Sequence, residues 1–248
     1  MMRFPSAALR AALAVFLLSA ASLSGCSVVA WQRARPAPQT TPAAAPQTTP
    51  APDESVGRTT SEPYTGDLSI FEDPARAEKL QVERVLDVLG VREGARVADI
   101  GAGSGWFTVR AARRAGAGGV VYAVEINPDY IRHIEERARK ENLPQVRGVL
   151  GKEDDPLLPP ASVDAVLILK TYHEIAQPVR LLSRLRAALR EGARVGVIDR
   201  NGKGDDHGVE RDTVVREAER AGYALAEEHD FVKGDNMDYF LVFKVRGK

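Results

Sequence analysis

Hydrophobic positions between residues 76 and 245 alternate between two patterns, one typical of amphipathic helices and one of buried strands. Helical spacing predicts helices over residues 76–89, 106–115, 128–140, 178–189 and 210–221. Short apolar runs predict strands over residues 96–100, 120–125, 145–150, 163–169, 194–199, 224–231 and 239–245. Because strands and helices alternate, the pattern predicts an α/β fold with a doubly wound, mostly parallel seven-stranded sheet. A turn separates the last two strands, which predicts an antiparallel hairpin at one edge.

The chain before residue 63 follows a different pattern. Arg3 and Arg10 flank the start of an uncharged apolar run over residues 11–21. A helix over that run rises about 16 Å, against roughly 30 Å of membrane hydrocarbon, so the run is too short to span and is typical of a secretory signal. The next residues, Leu23-Ser24-Gly25-Cys26, resemble the lipobox of bacterial lipoproteins. The resemblance implies cleavage before Cys26, lipidation of that cysteine, and location at the outer membrane facing the periplasm.

Residues 36–52 carry no charge and six prolines, and Ala-Pro-Gln-Thr-Thr-Pro occurs twice. Such a segment has too little apolar bulk to fold and is typical of an extended spacer. We therefore expect three parts: a signal peptide over residues 1–25, a lipid-anchored disordered tether over residues 26–62, and a folded domain over residues 63–248.

Composition excludes some classes of function. The 34 basic and 34 acidic side chains balance, so the electrostatic argument for a nucleic-acid partner is absent, and we expect none. The single cysteine excludes a disulfide framework and a cysteine-rich zinc site.

The most informative segment joins the first strand to the next helix and reads Asp99-Ile100-Gly101-Ala102-Gly103-Ser104-Gly105. Glycines permit unusual φ angles and a close approach of backbone to ligand, and ligands of such sheets bind beyond the carboxyl ends of the strands. Glu125 ends the next strand, where a carboxylate can accept both hydroxyls of a ribose. Together they predict a ligand that contains a nucleoside. The glycine spacing differs from the dinucleotide fingerprint, and Asp99 suits a cationic amino group better than a phosphate.

This pattern resembles motif I of the Rossmann-like S-adenosylmethionine-dependent methyltransferases, and the likeness covers most of residues 75–245. Asp99, Gly101, Gly103 and Gly105 match motif I, and Glu125 matches the acid that binds the ribose. Residues 163–167 match the motif of strand four, and residues 189–194 match the turn before strand five. The resemblance implies a Rossmann-like methyltransferase fold and S-adenosylmethionine as cofactor. The other cofactor-binding residues that it implies are Ala102, Ser104, Ile126, Glu153, Asp154 and Lys170.

One departure from the family concerns the adenine end. The family often has Gly-Asp-Ala after strand three, and the sequence here is Gly151-Lys152-Glu153-Asp154. Lys152 thus stands at the position of the usual aspartate, and Glu153 or Asp154 would have to replace it.

Candidate catalytic residues follow the fourth strand. Tyr172-His173-Glu174 resembles a motif of a subgroup of predicted methyltransferases and lies where that fold places the acceptor. His207 is a further candidate, after strand five. Histidine suits a general base because its pKa lies near 6.5, although a structural role for His173 and a solvated loop position for His207 remain open. A metal held by His173 with Asp205, Asp206 and His207 is the weaker hypothesis, and we expect no metal.

The sequence thus predicts a lipid-anchored methyltransferase that acts on a small molecule or an envelope component, with the acceptor and the oligomeric state left open. S-adenosylmethionine is made in the cytosol and the signal directs the domain elsewhere. The alternative is therefore a non-catalytic envelope module that kept the nucleoside pocket. A nicotinamide-dependent oxidoreductase is disfavoured by the glycine spacing.

Overall fold

A computed structural model describes residues 58–247 of the chain. The strands are β1 (Arg96–Ile100), β2 (Val120–Glu125), β3 (Val146–Leu150), β4 (Val163–Leu169), β5 (Leu189–Asp199), β6 (Tyr223–His229) and β7 (Tyr239–Val245). The α-helices are α1 (Arg76–Lys79), α2 (Val82–Val88), α3 (Trp106–Ala115), α4 (Pro128–Lys140), α5 (Pro178–Ala188) and α6 (Arg211–Arg220). Short 3-10 helices cover Leu68–Phe71, Tyr172–Glu174 and Phe231–Asp235. The predicted signal peptide, Cys26 and the tether as far as residue 57 lie outside the described residues.

All seven strands form one sheet in the order β3-β2-β1-β4-β5-β7-β6. Strands β1 to β5 pair in parallel, and β7 runs antiparallel to both of its neighbours. This confirms the predicted mostly parallel sheet with an antiparallel hairpin at one edge. The strand order reverses between β1 and β4, and a ligand of such a sheet binds at the carboxyl ends of the strands beside that reversal.

Strand β4 shows why residues 165–169 form an uninterrupted apolar and buried run. Val166 and Ile168 belong to the core on one face, with Leu182 of α5. Leu167 belongs to the core on the other face, with Val109 of α3. Because successive side chains of a strand point to opposite faces, a strand covered on both faces buries every one of them. Within residues 58–247, no helix is both long enough and apolar enough to cross a bilayer.

Two predicted elements differ from the structure by more than two residues. The helix predicted over residues 76–89 is broken at Gln81, whose backbone is left-handed with φ of 52°. The Gln81 amide donates to the carbonyl oxygen of Phe231 at 3.0 Å, which ties this break to the turn before β7. Strand β5 begins at Leu189 and not at Arg194, because Leu189 already pairs with Val163 before the register shifts.

The domain includes residues that the sequence assigns to the tether. The Arg58 guanidinium donates to the carbonyl oxygens of Tyr172 and Ile175, and its Nε lies 3.6 Å from a carboxylate oxygen of Glu217. Ser61 is buried and donates to the carbonyl oxygen of Gly204 at 2.9 Å. The predicted boundary at residue 63 is therefore too late, since residues from Arg58 onward pack against the domain.

Candidate functional site

A cavity of about 1060 Å³ opens at the carboxyl ends of β1, β2 and β4, where the strand order reverses. Its walls include the glycine loop after β1, Glu125 at the end of β2, and Lys170 and Thr171 after β4. The structure therefore brings the two predicted ligand-binding motifs and the predicted acceptor loop to one cavity.

The glycine loop takes a backbone course that other residues rarely adopt. Gly101, Gly103 and Gly105 have φ of 70°, 54° and 75°, all in the left-handed region. A Cβ on Gly101 would lie 2.3 Å from Cγ2 of Thr171, so only glycine allows the loop to touch the segment after β4. A Cβ on Gly105 would lie 3.1 Å from Ile134 of α4. Close packing thus opposes a side chain at Gly101, and it leaves little room for one at Gly105.

Asp99 is a buried acid in the wall of this cavity. Its side chain is 2% exposed and accepts a hydrogen bond from the Thr108 hydroxyl at 2.6 Å. Burial raises the pKa of Asp99 to about 6 despite that hydrogen bond, and the charge of Glu125 adds to the effect. Within residues 58–247, Asp99 forms no ion pair. A cationic group entering the cavity would supply the missing partner for its ionised form.

Glu125 is held by backbone groups of both neighbouring segments. Its Oε2 accepts from the N–H of Gly103 at 3.0 Å, and its Oε1 accepts from the N–H of Ile126 at 2.7 Å. The carboxylate is only partly buried and keeps lone pairs that can accept ligand hydroxyls. The Ile126 side chain is 39% exposed at the cavity wall and offers an apolar surface beside it.

The remaining predicted cofactor residues divide into two groups. Ala102, Ser104, Glu153 and Lys170 line the cavity, as does Lys152, whereas Gly105 and Asp154 are not in its wall. The hydroxyl of Ser104 is already engaged, because it donates to Glu72 at 2.6 Å.

Asp154 is not in the cavity wall, and its predicted binding role is wrong in this structure. Its carboxylate oxygens lie 3.2 Å from Nε of Arg180 and 2.8 Å from Nη1 of Arg184. Asp154 is thus paired with two arginines of α5, and Glu153 is the acid beside Lys152 in the cavity wall.

At the acceptor end, His173 is paired with an acid that the sequence reasoning missed. Nδ1 of His173 lies 2.9 and 3.0 Å from the two carboxylate oxygens of Asp199, and the His173 backbone N–H donates to the same group at 3.2 Å. Asp199 is fully buried at the end of β5. Because an ionised carboxylate only accepts, Nδ1 carries a proton and Nε2 is the nitrogen left for a ligand. An acid at the carboxyl end of a strand beside the switch point was the signal that could have found it.

Two further predicted residues lie next to that ring. Oε1 of Glu174 is 3.9 Å from Nε2 of His173. Burial raises the pKa of Glu174 to about 7, and the charges of Glu125 and Asp199 add to this, against the opposite effect of His173. The ring of His207 meets the His173 ring edge to face, with centroids 5.8 Å apart. One ligand-capable atom from each of His173, Glu174 and His207 lies within 4.8 Å of the others.

Tyr172 does not belong to this cluster, and its predicted catalytic role is wrong. Its side chain is fully buried, and its hydroxyl donates to Glu217 of α6 at 2.9 Å. The cavity wall includes its neighbours Thr171 and His173 but not Tyr172. Of the three motif residues in the 3-10 turn over Tyr172–Glu174, only His173 and Glu174 line the cavity.

Part of the cavity wall comes from the segment before α1, which the sequence did not assign to the site. Residues 60–65 line the cavity, as do Ile70 and Phe71, and the rings of Tyr64 and Phe71 pack edge to face at 5.4 Å. Ser61 accepts from the backbone N–H of His207 at 2.9 Å. We call residues 58–71 the N-terminal strap. It lies across the acceptor end and fixes the loop that carries His207.

Comparison with known proteins agrees with this geometry. Residues 97–192 match the family model described as "Methyltransferase domain". The chain is 30% identical over 114 residues to the nocamycin O-methyltransferase of Saccharothrix syringae, which is 46% of this chain and 41% of that protein. It is 34% identical over 103 residues to an uncharacterized methyltransferase of Mycobacterium tuberculosis, covering 42% of this chain and 39% of the relative. The chain thus spans less than half the length of these curated relatives.

Solved structures share the fold over about three quarters of the chain. A SAM-dependent methyltransferase from Aquifex aeolicus superposes with a TM-score of 0.65 at 24% identity, over 73% of this chain and 100% of that one. The geranyl diphosphate C-methyltransferase of Streptomyces coelicolor gives 0.55 at 16% identity, over 75% and 89% of the two chains. The cyclase SpnF gives 0.57 at 16% identity, over 75% and 84%. The fold is therefore the Rossmann-like methyltransferase fold, and this fold also carries a cyclase.

Proposed function

We propose that the chain is an S-adenosylmethionine-dependent methyltransferase that acts on a small molecule or a component of the cell envelope. The observation that carries the proposal is the meeting of Asp99, the glycine loop and Glu125 on one cavity. The matched methyltransferase segment, residues 97–192, contains all of them. The fold alone would not support this reaction, because fold does not imply function.

The donor groups of the cavity fit the parts of S-adenosylmethionine. Asp99, buried and without an ion pair within residues 58–247, suits the ammonium of the methionine end. Backbone N–H groups at the first turn of α3 suit its carboxylate. Glu125 suits the ribose hydroxyls, and Ile126 with Glu153 suits the adenine. When bound, S-adenosylmethionine supplies an electrophilic methyl group on a sulfonium sulfur.

The chain's own residues would then hold the acceptor. His173, Glu174 and His207 line the same cavity as the glycine loop, so an acceptor that contacts them shares one cavity with the cofactor. Asp199 fixes the ring of His173 and directs Nε2 outward, which makes Asp199 a positioning residue. Holding two reacting groups in a near-attack arrangement, roughly 3–3.5 Å apart, supplies much of the acceleration of a displacement reaction.

A second candidate is a module that binds the cofactor without turnover. Lys152 lines the cavity at the position where the family often has an aspartate for the adenine amino group. A lysine ammonium cannot accept that hydrogen bond, so this position favours weaker or altered nucleoside recognition.

We also propose that the protein is lipid-anchored in the bacterial envelope, at the outer membrane and facing the periplasm. The support is the order of basic residues, short apolar run, small residues and Cys26 in the sequence.

The proposed activity is tested with S-adenosylmethionine labelled on the methyl group. The full chain is incubated with envelope fractions and with small-molecule extracts, and labelled products are separated. An active enzyme yields labelled product and S-adenosylhomocysteine, and the Glu125→Ala variant yields much less of both. Binding of S-adenosylhomocysteine with no transfer to any acceptor would favour the second candidate.

A further inference from the structure

The cluster of His173, Glu174 and His207 has the chemistry of a metal site. Two imidazoles and one carboxylate are a ligand set of catalytic zinc, which uses three protein ligands and keeps one position open. The three ligand-capable atoms already lie within 4.8 Å of one another. Ligands about 2.0–2.2 Å from a tetrahedral ion lie about 3.4 Å apart, so a modest contraction would complete the site.

The distance between His173 and Glu174 also fits a metal site. Nε2 of His173 and Oε1 of Glu174 are 3.9 Å apart, which is too far for a direct hydrogen bond. Two groups that could pair directly are instead spaced like neighbouring ligands of one ion.

The outer contacts of His173 match those of a ligating histidine. Metal-bound histidines usually donate their other ring N–H to a carboxylate, which fixes the tautomer and the ring orientation. Asp199 does this here, at 2.9 Å from Nδ1, from a fully buried position. The second nitrogen is thereby presented unprotonated, as a metal requires.

His207 is also fixed before any ligand binds. Its backbone is left-handed with φ of 58°, a conformation that costs energy for most residues other than glycine. Its N–H donates to Ser61 at 2.9 Å, and its carbonyl oxygen accepts from Nε of Arg200 at 2.8 Å. The strap and the end of β5 therefore hold this loop so that the His207 ring faces His173. The acids Asp205 and Asp206 are not part of the arrangement, because the cavity wall does not include them.

We propose that His173, Glu174 and His207 bind a divalent metal ion of the zinc class, with Asp199 as the second-shell partner of His173. The open coordination position faces the cavity and takes an oxygen of the acceptor, which makes the acceptor a hydroxyl- or carboxylate-bearing molecule. In this arrangement Nε2 of His173 acts as a ligand and does not take up a proton. The acceptor part of the inference rests on the proposed function, and the metal site itself does not.

The test measures metal binding without cofactor or acceptor. The full chain carries Cys26→Ser, because a thiolate is itself a zinc ligand, and is freed of metal with a chelator. Zn²⁺ is titrated by calorimetry, and Co²⁺ is titrated by its visible absorption. We expect one ion per chain and the intense bands of four- or five-coordinate Co²⁺.

Matched variants locate the site. His207→Asn keeps a residue that tolerates the left-handed backbone, and Glu174→Gln keeps the shape of the side chain. Each should weaken binding at least about tenfold, and Asp199→Asn about 10–100-fold, with unchanged circular dichroism. The control is His133→Asn, an exposed histidine of α4 outside this cavity, which should leave binding unchanged.

Three results would overturn the proposal: no stoichiometric binding, binding that survives both ligand variants, or binding lost equally in His133→Asn. None of these results bears on the proposal that the chain binds S-adenosylmethionine, which is tested separately by S-adenosylhomocysteine binding. Conversely, a chain that binds the metal but not S-adenosylhomocysteine would keep the metal site and lose the methyltransferase.

Discussion

The backbone N–H of Gly103 donates to Oε2 of Glu125 over 3.0 Å, so the glycine loop and the acid of the next strand are fixed to each other. The two motifs are neighbours in space and share a hydrogen bond, although 22 positions separate them in the sequence. A ligand that reaches both therefore meets a preformed site and does not have to assemble one.

Loss of the Glu125 carboxylate should weaken cofactor binding and leave the fold intact. We expect Glu125→Ala to reduce the binding free energy of S-adenosylhomocysteine by about 1–3 kcal/mol, because the ribose hydroxyls lose a charged acceptor. Calorimetry of the variant and of the control Glu136→Ala, an exposed acid of α4, checks this. Equal affinities of the two variants would contradict the ribose assignment.

Asp99→Asn should abolish most cofactor binding while it stabilises the unliganded domain. The folded-state pKa of Asp99 is raised from 3.8 to about 6, so ionisation costs folding stability as pH rises through that window. Two pKa units correspond to roughly 3 kcal/mol, an upper value for the cost at neutral pH.

Urea unfolding of wild type and Asp99→Asn at several pH values checks this. The stability advantage of the asparagine variant should grow between pH 4 and pH 6 and stay level above it. An advantage that shrinks as pH rises would mean that Asp99 is already paired with a cation in the unliganded protein.

Gly101→Ala should damage the site beyond the cost of its backbone conformation. The added Cβ would lie 2.3 Å from Thr171, whereas a Cβ on Gly94, which also has positive φ, would meet nothing within 4 Å. Gly94→Ala therefore measures the conformational cost alone. We expect Gly101→Ala to lose about 1–3 kcal/mol more stability than Gly94→Ala, from overpacking, and to lose cofactor affinity as well. Equal losses in urea unfolding would show that Thr171 moves aside without cost.

Cys26→Ala should release the protein from membranes. Each buried methylene of an acyl chain contributes about 0.8 kcal/mol to anchoring, so a multiply acylated cysteine holds firmly and its loss is decisive. Fractionation of cells that express wild type or variant, with a salt wash, measures this. Continued sedimentation of the variant with washed membranes would contradict lipid anchoring.

Patterns in the sequence predicted the helices and strands whose bounds depend on residues within the element itself. Five of the seven predicted strands and four of the five predicted helices begin and end within one residue of their observed bounds, as at Val163–Leu169 and Pro128–Lys140. In both, every signal lies inside the segment: an apolar run in the first, and a proline at the first turn with amphipathic spacing in the second. The break at Gln81 has no local signal of this kind, and the contact of its side chain is with Phe231, which is distant in sequence.

The sequence predicted the site residues whose position follows from the order of the strands. It did not predict side chains whose orientation depends on contacts with distant residues. Asp99, the glycines and Glu125 stand at strand ends, so topology alone brings them together. The direction of Tyr172 depends on Glu217 of α6, and that of Asp154 on two arginines of α5. Ser61 enters the site through contacts with Gly204 and His207, more than a hundred positions away, which no local pattern shows.

The central claim is that this cavity binds the adenosyl and methionine parts of one ligand. Calorimetry of the full chain with S-adenosylhomocysteine, with S-adenosylmethionine and with NAD tests it most directly. The account predicts one site per chain for the first two ligands, lost in Asp99→Asn and weakened in Glu125→Ala, and no binding of NAD. Binding of NAD alone, or of none of the three, would contradict it.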